Sequence, residues 1–446
     1  MTSTPLASSA HQPLSRQSGS DKHLIADRLT EARERTLLLI SGLSDEDLHT
    51  QHDPLMSPII WDVGHIAHFE ELWLTRNLSG PIEFSEMPGL YNPLEHPRAA
   101  RAALPLPTLR EMMQRLEEIR ARVLDRLDAL EWNDQNPLLR DAYVFNMVLQ
   151  HEYQHNETIL QTLQLKKGEP YHPRVRHDTP RGSSFAPRMV EFNGGVVSIG
   201  TDDGSAAYDN ERPRHNRALK PFRIDNAPVS NGRYLEFMED GGYERAELWS
   251  DAGKLWLAGS AANSPKYWTR DGSQWLTRSM DILRPVDAGR PVCHVCYYEA
   301  EAFAKWDGKR LPTELEWEAA ASADGHGRAT RFPWGDSDAD RTRANIGQLT
   351  FDTAPTGSYS SNISPTGCYG MIGDVWEWTS SDFAGYPGFE SFPYKEYSEE
   401  FFGSDYKVLR GGSWATRPGA IRNTFRNWDY PIRRQIFSGF RCAADA

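Results

Sequence analysis

Cysteine is scarce in this chain, with four in 446 residues (Cys293, Cys296, Cys368, Cys442). So few exclude a disulfide framework and fit a reducing, cytoplasmic setting. Long apolar runs are missing as well: nothing approaches the roughly 18 consecutive apolar residues of a membrane span. Residues 1–20, rich in Ser, Pro and Thr, lack the apolar segment of a secretory signal. No basic cluster interrupts a chain whose formal net charge is -13. That excludes a nucleic-acid or anionic-membrane surface, because phosphate binding needs concentrated Lys and Arg. Small molecules are the expected partners. No internal repeat is present.

What the chain does have is length enough for two or three domains at about 100–200 residues each, and its texture divides it in two. Residues 1–21 read as a disordered tail. Residues 22–165 are helical. Ile25, Leu29, Ala32, Leu37 and Ile40 keep a helical period, and Leu109, Met112, Leu116, Ile119, Val123, Leu127 and Leu130 keep it more strictly. Thr108 and Glu111 form a capping box. Ser57-Pro58 is read as N-cap and first turn of a helix carrying Ile59, Ile60, Val63, Ile66 and Phe69, and a fourth helix spans about Leu138 to Leu165. Four such helices make a bundle, which places metal sites between facing helices. Residues 166–188, polar and rich in Pro and Gly, form a linker. From 189 to 446, short strand-like pieces broken by Gly, Pro, Asn and Asp, with helices at Tyr298 to Trp306 and Glu314 to Ala321, predict a loop-rich α+β domain.

The chemistry centres on His151-Glu152-Tyr153-Gln154-His155. Histidines at i and i+4 share a helix face and can reach one ion. A third ligand must come from elsewhere, and the upstream helix offers His65 or its competitor His68, with Gly64 permitting close approach of a neighbouring helix. Three histidines leave positions open for substrate, dioxygen or water. The literal H-E-x-x-H pattern is also the zinc-peptidase signature, with Glu152 as general base. Against it, the chain after His155 lacks the downstream histidine extension of that class. Glu152 and Glu157 are read as solvated or supporting groups. Cys293-His294-Val295-Cys296 is expected in a strand, as buried or half-buried cysteines without a second pair for zinc. Asn345-Ile346 with Asp352 is a weak calcium pattern.

Trp61-Asp62-Val63-Gly64-His65-Ile66-Ala67-His68 together with the His151 to His155 segment resembles the DinB-like bundle of the ergothioneine sulfoxide synthases. The second part resembles the formylglycine-generating-enzyme fold, a C-type-lectin-like α+β domain. That likeness rests on Asn226 to Asn231, Arg310 to Glu318, Phe332 to Gly335, Met371 to Trp378, Leu409 to Trp414 and Gly439 to Arg441. It implies iron(II) held by His65, His151 and His155, with a carbon–sulfur bond formed in the presence of dioxygen at C2 of the imidazole of hercynine. The donor is γ-glutamylcysteine or cysteine; a selenosugar, as in the related selenoneine synthases, is the alternative. The resemblance further assigns Gln154, Asn427 and Trp428 to hercynine, and Arg98, Arg101, Asp429 and Arg433 to the donor. Tyr394 is implied as a proton donor and Tyr397 as a pocket wall. Formylglycine generation itself needs a cysteine pair near the end of the domain, where this chain has only Cys442. A non-catalytic sensor module is a third class of reading, opposed by the intact histidines and Tyr394.

Overall fold

Periodicity in the first part becomes four long helices in the computed structural model, which describes Leu14 and residues 21–78, 89–182, 185–323 and 329–446. Most of the expected tail lies outside the described residues. Helix α1 (Lys22–Ile40) starts at Asp21, whose carboxylate accepts from the Leu24 N–H. Helix α2 (Ile59–Glu71) is buried almost throughout. Helix α3 (Leu109–Asp128) opens on the Thr108/Glu111 capping box and buries Met112, Leu116, Ile119, Val123 and Leu127 in one stripe. Each of those side chains contributes about 1.5–3 kcal/mol on leaving water. Helix α4 (Tyr143–Gln164) carries the histidine pair.

Two local expectations are corrected. Ser57 does not cap α2: Pro58 holds an extended ψ of 139° and is itself the last non-helical residue. The Ser57 hydroxyl instead accepts from Arg101 Nη1 at 2.7 Å. At Gly64 the nearest neighbour is a loop side chain rather than a helix. The ring of Tyr91, on the loop that follows, lies 2.2 Å from where a Cβ at Gly64 would stand, so this position admits no side chain without displacing Tyr91.

The chain forms two compact units. The first comprises the helical part up to Arg174 with two later segments, Asp203–Tyr208 and Ser391–Glu396. Within it the 203–208 segment is fastened along one face of α4. Asn146 Nδ2 donates to the Ser205 carbonyl (2.8 Å) and Gln150 Nε2 to that of Ala206 (2.9 Å). Leu14 is also buried here and exchanges two hydrogen bonds with Asn146. Among the described residues no helix is long and apolar enough to cross a membrane.

The second unit is the mixed α/β part. Its largest sheet among the described residues has four strands, in the order Asn427–Asp429, Gly403–Arg410, Trp376–Phe383, Ser438–Gly439. Buried ion pairs fix the chain around it. Arg441 is bidentate to Glu377 (2.6 and 2.8 Å), which also accepts from Trp317 Nε1. Arg426 is bidentate to Glu314 (2.8 and 2.9 Å), and Arg410 bonds Glu318. Helix α5 (Tyr297–Trp306) meets the sheet through Tyr297, edge-on to Trp378 at 6.2 Å, and helix α6 (Glu314–Ser322) packs on its two long strands. The Cys293 to Cys296 segment is not a strand, as expected, but a loop, because His294 sits at a left-handed φ of 67° that a strand cannot hold. Cys296 is the N-cap of α5. None of the four cysteines forms a disulfide; three are buried and Cys293 partly so.

Candidate metal centre

Helix α2 brings in His65, and α4 brings in His151 and His155 one turn apart. One ring nitrogen from each lies within 4.8 Å of the others, the one group of its kind among the described residues. His65 Nε2 and His151 Nε2 are 3.2 Å apart, a spacing that bonds of about 2.1 Å to a single ion can span. His68, the competing third ligand, is outside this group.

Each imidazole is held by a partner. His65 Nδ1 lies 2.8 Å from the Tyr91 carbonyl, which can only accept, so Nδ1 carries the proton and Nε2 keeps its lone pair for an ion. His155 Nδ1 is 3.2 Å from Asp62 Oδ1, a carboxylate–histidine pairing common behind metal ligands. The His151 ring stacks on Phe69 with centroids 3.7 Å apart and planes 11° off parallel. Trp61 stacks on His65 at 5.0 Å, and the Arg101 guanidinium lies 3.5 Å from the Trp61 ring centre. Burial, followed by the charge of neighbouring His155, holds the pKa values of His65 and His151 well below 6.5. Both are therefore neutral ligands at pH 7.

Glu152 occupies a different environment from the one a peptidase needs. Its Oε1 accepts from Arg33 Nε (2.9 Å) and Thr36 Oγ1 (2.6 Å), both on α1. Arg33 also bonds Glu70, which is bidentate to Arg120. Four charges of alternating sign, Arg120, Glu70, Arg33 and Glu152, thus form a largely buried chain of ion pairs that ties α1 and α3 to the two ligand-bearing helices. The carboxylate is a structural tie.

The other residues singled out from the sequence fall in two groups. In the first unit, Gln154 accepts from the Tyr208 hydroxyl through Oε1 at 3.0 Å. Tyr394 stacks on Trp73 (5.2 Å) and meets Phe69 edge-on (6.2 Å), so its ring is two aromatic contacts from His151. Arg98 donates to the Leu55 carbonyl. Arg101 is buried, donates to Ser57 and the His96 carbonyl, and is lowered by burial to a pKa of about 10, still a cation at neutral pH. In the second unit, Trp428 stacks on Phe383 (4.1 Å, 8°) and takes the edge of Tyr397. Asp429 Oδ1 is 3.2 Å from Arg433 Nε, and Asn427 Oδ1 accepts from the Trp428 N–H. At the expected calcium position, Asn345 donates to the Asp352 carbonyl, while the Asp352 carboxylate lies 2.6 Å from Arg284. An arginine supplies the positive charge there.

Sequence reasoning named Asp62 and Tyr91 only as members of longer matching segments, gave neither a role beside the histidines, and passed over Tyr208. Asp62 has a legible signal, since it precedes His65 by three residues on the same helix; the other two arrive on loops and leave none.

The DinB superfamily matches residues 28–159, and the sulfatase-modifying factor enzyme 1-like domain matches residues 176–446. Hercynine oxygenase from Mycolicibacterium thermoresistibile is 42% identical over 432 residues, covering 94% of both chains. Hercynine oxygenase from Mycobacterium tuberculosis is 42% identical over 428 residues, 94% of this chain and 98% of the other. The formylglycine-generating enzyme of Streptomyces coelicolor is 34% identical over 304 residues, 61% of this chain and 92% of its own. A likeness that runs from end to end through both parts, with the three-histidine group intact, places the chain in the hercynine oxygenase family.

Proposed function

We propose that this chain is a mononuclear non-haem iron(II) enzyme that uses dioxygen to join a thiol donor, γ-glutamylcysteine or cysteine, to C2 of the hercynine imidazole. The observation that carries this reading is the three-histidine group in a chain similar over its whole length to hercynine oxygenases. The donor set fits iron(II): neutral imidazoles leave the ion its full charge, and three protein ligands leave positions open. Bound there, iron(II) supplies a cation able to hold a thiolate and to activate dioxygen.

The chain's own residues do the rest. Gln154, three residues beyond His151 on the same helix face, hydrogen-bonds the substrate imidazole. Trp428 offers an aromatic face to the quaternary ammonium of hercynine, which has no N–H to donate; Asn427 beside it binds the same substrate. Asp429 and Arg433, already paired with opposite charge, suit the ammonium and carboxylate of an amino-acid donor. Arg98 and Arg101 clamp its further carboxylates, and Tyr397 walls the pocket. The Tyr394 phenol holds the proton delivered at its hydroxyl oxygen during turnover.

The test is anaerobic reconstitution with Fe(II), then dioxygen and hercynine, with γ-glutamylcysteine, cysteine and a selenosugar in parallel and products read by mass spectrometry. A hercynine-derived sulfoxide with an amino-acid thiol is expected. A product from the selenosugar alone would move the assignment to carbon–selenium bond formation, and no hercynine-derived product from any donor would overturn it.

A further inference from the structure

Three residues of helix α2 and the turn that continues it stand four apart: His65, Phe69 and Trp73. Residues at that spacing share one helix face. Trp73 lies in the π-helical turn Leu72–Arg76, closed by the Asn77 N–H donating to the Leu72 carbonyl at 3.1 Å. Such wide turns are rare and recur at functional sites. Phe69 and Trp73 form a closed triad with Tyr394. Trp73 stacks on the phenol ring (5.2 Å, 29°), Phe69 meets it near edge-on (6.2 Å, 60°), and the Phe69 and Trp73 rings are themselves 6.1 Å apart. All three separations fall in the range that aromatic pairs prefer, about 4.5–7 Å. On its other side Phe69 stacks on the ligand ring of His151.

We infer that Trp73 is a positioning residue for Tyr394, fixing where the phenol stands relative to the helix that carries His65. This rests on the reading of Tyr394 as the proton donor. Tyr394 belongs to the segment Ser391–Glu396 and lies on neither a helix nor a strand, so its ring takes its place from packing. A ring touched on its face alone can slide and turn in its plane; one touched from two directions cannot do so without losing a contact. Trp73 is 0% exposed, and its indole N–H has no acceptor among the described residues. Phenylalanine would fill the same place without burying an unpaired donor. What the indole adds is a wider face for Tyr394, carried on the same rigid element as a metal ligand.

Two measurements test this. In metal-free protein with 3-fluorotyrosine incorporated in place of Tyr394, the fluorine resonance should carry a ring-current displacement that Trp73→Phe reduces and Trp73→Leu abolishes. In the iron(II)-loaded enzyme, Trp73→Leu should lower kcat for hercynine by about 10- to 100-fold, the cost of a misplaced reacting group, with KM and cobalt(II) affinity within about twofold of wild type. Trp73→Phe should fall between the two. A double-mutant cycle separates positioning from general packing: once Tyr394→Phe has removed the phenol, Trp73→Leu should cost no further rate. Trp73→Phe, which forfeits no hydrogen bond, runs the same cycle if Trp73→Leu folds poorly. An unchanged resonance, wild-type kcat in the Trp73 variants, or an equal loss in the Tyr394→Phe background would overturn the inference and leave the role of Tyr394 standing. Wild-type kcat in Tyr394→Phe itself would overturn the reading of Tyr394 and the inference with it.

Discussion

Replacing Glu152 separates a catalytic carboxylate from a structural one, and the two readings differ in what they move. In a zinc peptidase the glutamate of H-E-x-x-H is a general base, so Glu152→Gln abolishes activity and leaves stability nearly unchanged. Here Glu152 is 1% exposed and its Oε1 accepts from Arg33 and Thr36. The amide oxygen of glutamine can keep one of those bonds but not the charge. Hydrogen bonds to charged groups are worth about 1.5–3 kcal/mol, so Glu152→Gln should cost about 2 kcal/mol. Glu152→Ala, which leaves Arg33 with Glu70 as its remaining carboxylate, should cost about 3–5 kcal/mol. Urea unfolding of the metal-free protein reads both, and metal affinity measured by chelator competition reads whether the ligand helices have moved.

The network sharpens the expectation through its partner. In a double-mutant cycle, Arg33→Met and Glu152→Leu should each be strongly destabilising while the pair together recovers at least about 2 kcal/mol, because two apolar groups of similar volume replace two charges that need each other. Turnover of hercynine should persist in folded Glu152→Gln protein. Full stability in Glu152→Gln with complete loss of turnover and metal retained would refute the structural assignment and restore the carboxylate to the chemistry.

Three further outcomes are expected. Asp62→Ala should weaken metal binding by about 10- to 100-fold, because His155 loses the carboxylate that orients its ring; Asp62→Asn, which still accepts from Nδ1–H, should lose less, and unchanged cobalt(II) affinity in both would refute the role. Gly64→Ala should cost about 1–3 kcal/mol and also weaken metal binding, since its Cβ displaces Tyr91, whose carbonyl holds His65; loss of stability with wild-type metal affinity would show that Tyr91 adjusts without moving the ligand. His294 is driven by burial from 6.5 to a pKa of about 3, so the stability it contributes is present above pH 6.5 and lost as pH falls toward 3, on the order of 5 kcal/mol in full. Asp374, raised by burial to about 6, acts in the opposite sense and offsets part of that loss between pH 6 and 4. Comparing the full chain with its His294→Gln variant from pH 7 to 4 isolates the histidine: the wild type's advantage should shrink steadily, and parallel curves would refute the assignment.

What the sequence made legible follows from how local each signal is. Helix α3 could be read because five buried side chains repeat at helical spacing and its cap is complete within four residues. The His151 and His155 pair could be read for the same reason, being one turn of one helix. His65 against His68 could not be decided from spacing, because both lie on α2 and are buried; what separates them is which ring faces α4. The start of α2 went wrong by one residue because Ser-Pro fits a capped first turn equally well whether or not Pro58 is helical. The contacts of Tyr91 with His65 and of Tyr208 with Gln154 were illegible for a stronger reason: loops carry no periodicity, and Tyr208 is 54 residues from the glutamine it bonds.

The second unit shows the converse, a motif that is legible without being chemical. Glu314, Glu318, Glu377, Arg410 and Arg441 all stand in the segments that carry the likeness to the formylglycine-generating-enzyme fold, and all are buried in ion pairs or bidentate contacts with one another or with Arg426. A buried charge must keep its partner or cost several kcal/mol, so such pairs impose residue identity at fixed places along the chain. That is why they announce the fold so clearly. They are poor guides to activity, because these guanidinium–carboxylate pairs are sealed in the core, Arg410, Arg426 and Arg441 each being 1% exposed or less. Function has to be sought where several potential ligand atoms converge, and among the described residues that is the three-histidine group carried by α2 and α4, with Gln154 and Tyr394 in the same unit.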